Sequence, residues 1–426
     1  MKSSLLISGA LSMAMLTACT PQQWIERRVE SAVTNAMDEI SKDSVDVRRK
    51  PGTQLRIATF NTSMFDDADG GLLTRLRSDD ANIRRIATVI RTVRPDVVLL
   101  NEFDYVADGS AVDLFRTRFL QASVAGTDPI TYPYRYIAPV NTGVPSGLDL
   151  DNNGQVGGDG RSAGNDAWGY GLHPGQYGMV VLSRYPIDAA AVRTFQNLKW
   201  SAMPQAMKPV DPTTGKDWYS AKAWGQLRLS SKSHWDVPVF VNGKTVHVLA
   251  SHPTPPVFDG PERRNRNRNH DEIRLWREYL DNAATSARWL CDDRGHCGGL
   301  AADRAFVIMG DQNADPDDGD GVPGAVRQIL DHPRAQTGNA PRSAGAALRA
   351  LDYGKERKGD VSTHTGDFGP QAGTLRLDYV IPSKQFEILG QGVFWPLPKD
   401  PQADATTASD HHMVWMDLRF GTDDAR

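Results

Sequence analysis

Six residues stand where an apolar run of the sequence begins or ends: Asn61, Glu102, His252, Asp311, Asp378 and His411. Two have close polar company, since Asn313 follows Asp311 by two positions and Asp410 directly precedes His411. Carboxylate and amide oxygens on rigid elements hold hard divalent cations, and a histidine beside a carboxylate moves protons near neutral pH. The stretch FVIMGDQNADPDDGDG, residues 306–321, shows the pattern most densely, with an apolar run emptying through a glycine into acids and amides. Asp, Asn, Gly and Pro also favour turns, so a buried strand followed by a solvated turn is the other reading of that stretch.

The elements that must carry these groups are short and apolar. LRIATFN (55–61), VVLLNEF (97–103), YGMVVLSRYPI (177–187), VHVLASH (246–252), AFVIMGDQN (305–313), TLRLDYVIPS (374–383) and HHMVWMDLRF (411–420) read as strands. Their continuous apolar character predicts burial on both faces. ANIRRIATVIRTVRPD (81–96) reads as a helix that stops at Pro95. The polar groups therefore fall at strand ends, where layered α/β folds assemble their sites. Residues 139–176, rich in Gly, Asp and Asn, and residues 199–237, with Trp200, Trp218, Trp224 and Trp235, read as irregular insertions. Those tryptophans either pack or line a groove facing a ring or lipid.

The chain has 426 residues, of which 40% are hydrophobic and 23% charged, enough to bury a large core. A net charge of −4 argues against binding nucleic-acid phosphates by electrostatics alone. The start, MKSSLLISGALSMAMLTACT, reads as a bacterial export signal covering residues 1–18, and LTAC resembles a lipobox that makes Cys19 the lipidated first residue. A simple signal peptide with an incidental cysteine is the alternative. Trp24, Ile25, Val29, Val33, Met37 and Ile40 recur at helical spacing, so residues 19–53 are expected as a helix and linker behind the anchor. The expected location is outside the cytoplasm, on a membrane facing the periplasm or at the cell surface. The remaining cysteines, Cys291 and Cys297 in CDDRGHC, suit a disulfide in an exported protein. A zinc site would need ligands beyond His296.

The order Asn, Glu, His, Asp-x-Asn, Asp, Asp-His, with GDQN, LRLDYV and SDHH as its most specific pieces, resembles the endonuclease/exonuclease/phosphatase superfamily of metal-dependent phosphoesterases. The resemblance covers about residues 54–420, within a domain expected at 54–422. It implies an α/β (α+β) fold, a four-layer α/β/β/α sandwich of two mixed β-sheets flanked by helices. It implies Mg²⁺ or Mn²⁺ held by Glu102, with Asn61 close by and Asp410 as second ligand. Asp311 would orient or deprotonate the attacking water, Asn313 would hold a phosphoryl oxygen, and Asp378 would orient His411. His252 would protonate the leaving group or grip the phosphate, and Tyr177 would contact substrate. Where the DNases of the superfamily place a glutamate two residues before that tyrosine, Gly175 stands here, so their second carboxylate–histidine pair is not carried over. His412 would face away as a structural residue.

Two further stretches carry alternatives. Asp149, Asp151 and Asn153 precede Gly154 as in a calcium loop, although Gly160 replaces the glutamate of an EF-hand; a Ca²⁺-stabilised loop and a solvated turn both fit. Arg263, Arg264, Arg266 and Arg268 either recognise substrate phosphates or begin a helix ending IRLWREYL. The function expected from these features is hydrolysis of a phosphate ester by an exported, lipid-anchored enzyme. Its substrate would be a nucleotide, nucleic acid, inositol phosphate or phospholipid head group. An extracellular nuclease is the alternative within the class, and a catalytically inactive surface binding lipoprotein the alternative outside it; no obligate protein partner is evident.

Overall fold

The computed structural model describes residues 46–122 and 126–421. Strand β1 (Leu55–Met64) runs parallel to β2 (Val97–Phe103), and the sheet continues through β3 (Tyr134–Tyr136), β4 (Met179–Ser183), β12 (Phe386–Val393) and β13 (Val414–Phe420) in the order β12-β13-β1-β2-β4-β3. The second sheet contains β5 (Arg193–Thr194), β6 (His234–Val241), β7 (Lys244–Ser251), β8 (Ala305–Asp311) and β11 (Asp378–Pro382), ordered β11-β8-β7-β6-β5. Between them in the chain, β9 (Gly366–Asp367) and β10 (Thr374–Leu375) form a separate small ribbon.

Period-two alternation sets the layers. Ile57, Leu99 and Val181 of the first sheet meet Val248, Ala250, Val307 and Met309 of the second in a core between the sheets. Their neighbours Ala58, Val98, Leu100 and Leu182 face outward and are covered by helix α1 (Ala81–Val93) through Ile83, Ile86 and Ile90. On the far side, Leu249, Phe306, Ile308 and Ile381 lie under helix α2 (Arg264–Asp281) through Ile273, Trp276 and Leu280. The four layers are thus helix, sheet, sheet, helix, and the strands are apolar on both faces because each face has its own core. Helix α1 starts where Asp80 accepts a hydrogen bond from the Ile83 N–H (2.9 Å) and ends at Arg94, in the left-handed region before Pro95.

The structure corrects several sequence expectations. The run 374–383 is two strands, β10 and β11, and the last strand begins at Val414, so Asp378 starts a strand while His411 precedes one. Residues 234–237, assigned to an irregular insertion, open core strand β6. Its signal was hidden because Trp235, Val237, Val239 and Val241 alternate with His234, Asp236 and Pro238. Asp236 is tolerated in the core because the Tyr279 hydroxyl donates to it at 2.6 Å and His247 Nδ1 lies 2.8 Å away. Other parts of the two insertions are also packed: Leu148, Leu150, Trp200, Leu227 and Leu229 join the core under α2, with Trp218 and Trp224 partly buried against it, while 152–156 and 212–217 are exposed.

Cys291 and Cys297 are joined by a disulfide that closes a seven-residue loop, counted from 291 through 297, and the His296 side chain is exposed. The leader, Cys19 and the helix expected from residue 20 lie outside the described residues up to position 45; residues 46–54 contain no helix. Among the described residues no helix is long and apolar enough to cross a membrane.

Candidate active site

The topology brings the chemistry to one rim. Strands β1 and β2 are parallel, as are β7 and β8, so Asn61, Glu102, His252 and Asp311 all come from C-terminal ends. Strand β11 is antiparallel to β8 with Asp378 opposite Asp311, and β13 is antiparallel to β1, so Asp378 and the segment before Val414 reach the same end.

Parity then aims the side chains. Counting from Ile57 and Leu99, Asn61 and Asn101 face the second sheet, and they sit side by side in register. Asn61 Nδ2 donates to Asp311 Oδ2 at 3.1 Å, while Asn101 Oδ1 accepts the Asp311 N–H at 3.2 Å and its Nδ2 donates to the Ser251 carbonyl at 3.4 Å. At the rim the apolar contact between the sheets is replaced by these bonds. The next residue, Glu102, would face α1 in a regular strand. Instead its φ is 56°, beside an irregularity in the β1–β2 register, and its carboxyl hydrogen-bonds Asn61.

Ser63 (φ 47°), Tyr177 (φ 57°) and Asn313 (φ 49°) share that left-handed backbone. Non-glycine residues there cost roughly 1–3 kcal/mol each, and such strain concentrates at functional sites. Ser63, Phe65, Glu102, Tyr177, Ser409 and Asp410 line one cleft, with the Phe65 and Tyr177 rings 4.7 Å apart. Ser63 Oγ donates to Asp410 Oδ1 at 3.2 Å.

Asp311 is fully buried and held from several sides. Besides Asn61, it accepts the Asn313 N–H on Oδ1 at 2.8 Å, and Oδ2 lies 3.4 Å from His252 Nε2 and 3.7 Å from His411 Nε2. Burial alone would raise its pKa, but the charge of His411 and the His252 contact hold it well below the carboxylate range. His411 Nδ1 lies 2.7 Å from Asp378 Oδ2, which also accepts the Thr365 hydroxyl at 2.7 Å. Thr365 Oγ1 in turn accepts the N–H groups of Leu377 and Asp378, both at 3.0 Å. Burial opposes a charge on His411, yet Asp378 and Asp311 drive its pKa well above that of a free imidazole. His252 goes the other way, lowered to about 4 by burial and by Lys232, so it is neutral. One buried imidazolium and one buried neutral imidazole thus flank the same carboxylate.

Glu102 is short of positive charge. Burial pushes it up to about 7, His411 and Asn61 oppose the shift, and Asp410 and Asp311 add to it. A carboxylate so placed suits a hard divalent ion, and Asp410 lines the same cleft, with Asn61 alongside Glu102, so the three offer the oxygen donors of the expected ligand set. One trio of potential ligands among the described residues, Asp311, Asp378 and His411 within 4.8 Å, is better described as a carboxylate–histidine–carboxylate array, because its short distance is the Asp378–His411 hydrogen bond.

Other expected residues lie apart. Arg263 and Arg264 do not line the cleft: Arg264 donates to the Leu150 carbonyl at 2.8 Å, and Arg263 is exposed at the start of α2. Arg268 is spent on the carbonyls of Leu229, Trp168 and Arg228. Asp149 and Asp151 meet Asp166 within 4.8 Å, but the loop's own donors, among them the N–H groups of Gly154, Asn153 and Gly157, occupy the carboxylates. His412 stacks on Trp395, ring centres 3.6 Å apart. Gly175 has φ 93°, and a Cβ there would lie 2.8 Å from the Tyr105 carbonyl oxygen, so this backbone path has no room for the DNase glutamate. Sequence reasoning missed Asn101, whose signal was an amide inside an apolar strand, and Thr365 and Lys232, which had none.

A sequence profile of the Endonuclease/Exonuclease/phosphatase family matches residues 58–411. Among solved structures, an endonuclease/exonuclease/phosphatase from Beutenbergia cavernae DSM 12333 is 20% identical over 87% of this chain and 72% of its own, with a TM-score of 0.47. Sphingomyelinase C from Streptomyces griseocarneus is 16% identical over 85% of this chain and 98% of its own, with a TM-score of 0.41. The human Nocturnin catalytic domain with bound sulfate anion is 14% identical over 88% of this chain and 97% of its own, with a TM-score of 0.42. Comparison with curated proteins gives no match.

Proposed function

Since the chain belongs to the endonuclease/exonuclease/phosphatase family, whose members are metal-dependent hydrolases of phosphoester bonds, we propose that it hydrolyses a phosphate ester by attack of water. The observation that carries this reading is the buried Asp311 carboxylate, faced by Asn61, His252 and the Asp378-supported His411, beside the cation-seeking Glu102. When bound, a divalent cation would supply Lewis acidity to the phosphoryl group, and Glu102, Asp410 and Asn61 would hold it.

The remaining work falls to the protein's own groups. Asp311, ionised in the resting site, orients the water and takes its proton. Asn313 is fixed by its Nδ2 bond to the Pro253 carbonyl (3.1 Å) and by its N–H on Asp311, leaving its Oδ1 for the water. His411, kept charged by Asp378, stabilises the negative charge that gathers on the phosphoryl oxygens. His252, neutral in the resting site, offers a hydrogen bond but no proton in excess, so the departing ester oxygen takes its proton from the His411 imidazolium, which regains one from Asp311, 3.7 Å away.

The test is release of p-nitrophenol from mono- and bis-p-nitrophenyl phosphate with Mg²⁺, Mn²⁺ or Ca²⁺, and with a chelator. Turnover of at least one substrate, abolished by chelation, is expected, and the preferred substrate separates phosphatase from phosphodiesterase or nuclease. No release from either, with any cation, would leave the non-catalytic binding protein as the better reading.

The export leader and the disulfide support placement outside the cytoplasm with Cys19 as the lipid anchor. Radiolabelled palmitate fed to cells expressing the full chain should label the wild type and not Cys19→Ala. Equal labelling of both removes the anchor.

A further inference from the structure

A buried lysine stands beside the site with no hydrogen-bond or ion-pair partner among the described residues. Lys232 is 5% exposed, on the segment Ser230–Ser233 that leads into β6. That segment is clamped: the Lys232 carbonyl accepts the Asn141 N–H at 2.9 Å, and the Ser231 N–H donates to Glu272 Oε1 at 2.6 Å. The other oxygen of Glu272 takes the Thr254 N–H at 2.6 Å, so this carboxylate fixes two backbone segments. No hydrogen bond or ion pair within 4.0 Å joins the Lys232 ammonium to any described residue. It is nonetheless near the site: His234 pairs with Ser251, which sets the segment before β6 beside His252, and although burial lowers the lysine's pKa, Glu272, Glu102 and Asp311 oppose that shift while Arg268 adds to it. The same neighbourhood holds four buried polar atoms without partners, Ser231 Oγ, His252 Nδ1, Thr254 Oγ1 and Asn269 Oδ1. A largely buried lysine whose ammonium meets no protein acceptor is costly to hold charged unless something anionic lies before it.

We propose that Lys232 is a substrate-binding residue whose ammonium grips a non-bridging oxygen of the phosphoryl group on the His252 side of Asp311. The inference deepens the hydrolase reading and rests on it for the identity of the anion. Lys232 would do there what a point-charge donor does at phosphate sites generally: hold the anion in the ground state and meet the added charge as water attacks. Glu272 sets the reach of the lysine by fixing the backbone at Ser231, and Arg268, committed to backbone carbonyls, stays out of the contact.

The test measures binding of inorganic phosphate to Mg²⁺-loaded protein by calorimetry, for wild type and Lys232→Met, alongside the Mg²⁺ midpoint and turnover of bis-p-nitrophenyl phosphate. The expected result is phosphate affinity lower by about 10- to 100-fold in the variant, with the Mg²⁺ midpoint unchanged. Equal phosphate affinity overturns the assignment. So does a loss of phosphate affinity that only follows a loss of Mg²⁺ affinity, since the lysine would then merely balance carboxylates. If Lys232→Met does not fold, the ¹⁵Nζ resonance of Lys232 in the wild type, followed through a phosphate titration, decides: a saturable shift supports contact, and none refutes it. Phosphate binding through Lys232 without ester hydrolysis would sink the hydrolase reading and leave the anion site. Hydrolysis with Lys232→Met unaltered in binding and turnover would do the reverse.

Discussion

Asp311→Asn lowers turnover by about 10³-fold or more, the scale of losing a positioned general base. The reason is chemical rather than steric. The amide keeps the shape of the carboxylate but cannot accept the proton of the attacking water. Because Asp311 is fully buried, the change also has a structural cost. Its two oxygens face donors on both sides, Asn61 Nδ2 and the histidines on Oδ2 and the Asn313 N–H on Oδ1, so one of them must now face an NH₂ group. An expected loss of roughly 1–3 kcal/mol of stability follows. Activity assays paired with denaturant melts check both parts. A variant with wild-type turnover removes Asp311 from the chemistry, and one that melts far below this range would show that its main role is structural. A strand-end aspartate looks from sequence like a residue at an open mouth; the cross-sheet bonds to Asn61 and Asn101 enclose it instead.

Glu102→Gln raises the Mg²⁺ concentration needed for half-maximal activity by about 100-fold or more, the scale of losing a metal ligand with its charge. A second signature comes from protonation. With the folded carboxyl up to about 7, a proton competes with the cation below neutrality, so the wild-type midpoint rises about tenfold between pH 8 and pH 6. The glutamine variant loses that dependence. Without metal, the raised folded pKa favours the protonated native state, so the stability it confers is present below the unfolded value of 4.5 and is lost as pH rises toward 7. Metal-free Glu102→Gln should therefore be more stable than metal-free wild type at pH 8, by up to about 3 kcal/mol, and nearly equal to it near pH 4. Metal titrations and urea melts at the two pH values test this. Unchanged midpoints across pH and variant would take Glu102 out of the ligand set.

The strands that carry the site were legible because burial on both faces leaves uninterrupted apolar runs, as in VVLLNEF and AFVIMGD. Strand β6 was not, since its polar positions are satisfied by partners from distant segments: Asp236 by Tyr279 and His247, His234 by Ser230 and the Glu272 carbonyl. The same distinction divides the site. Residues that announce themselves as a polar group ending an apolar run were found, except Asn101, which is overshadowed in VVLLNEF by the carboxylate beside it. Thr365 and Lys232 act through position alone and sit in stretches with no periodicity to mark them. The arginines at 263–268 show the converse, a conspicuous local pattern that the fold employs largely in closing its own loops.

Asn61 and Asn101 join the two sheets at the rim, and His411 is the other end of a constellation that begins at residue 61. Neither sheet owns the reaction, and a fragment carrying only one of them holds a few polar side chains with nothing to aim them. Turnover would then serve as a gauge of sandwich closure: an intermediate could acquire its helices and either sheet, looking nearly native to circular dichroism, and still hydrolyse nothing until the last few ångströms between the layers are gone.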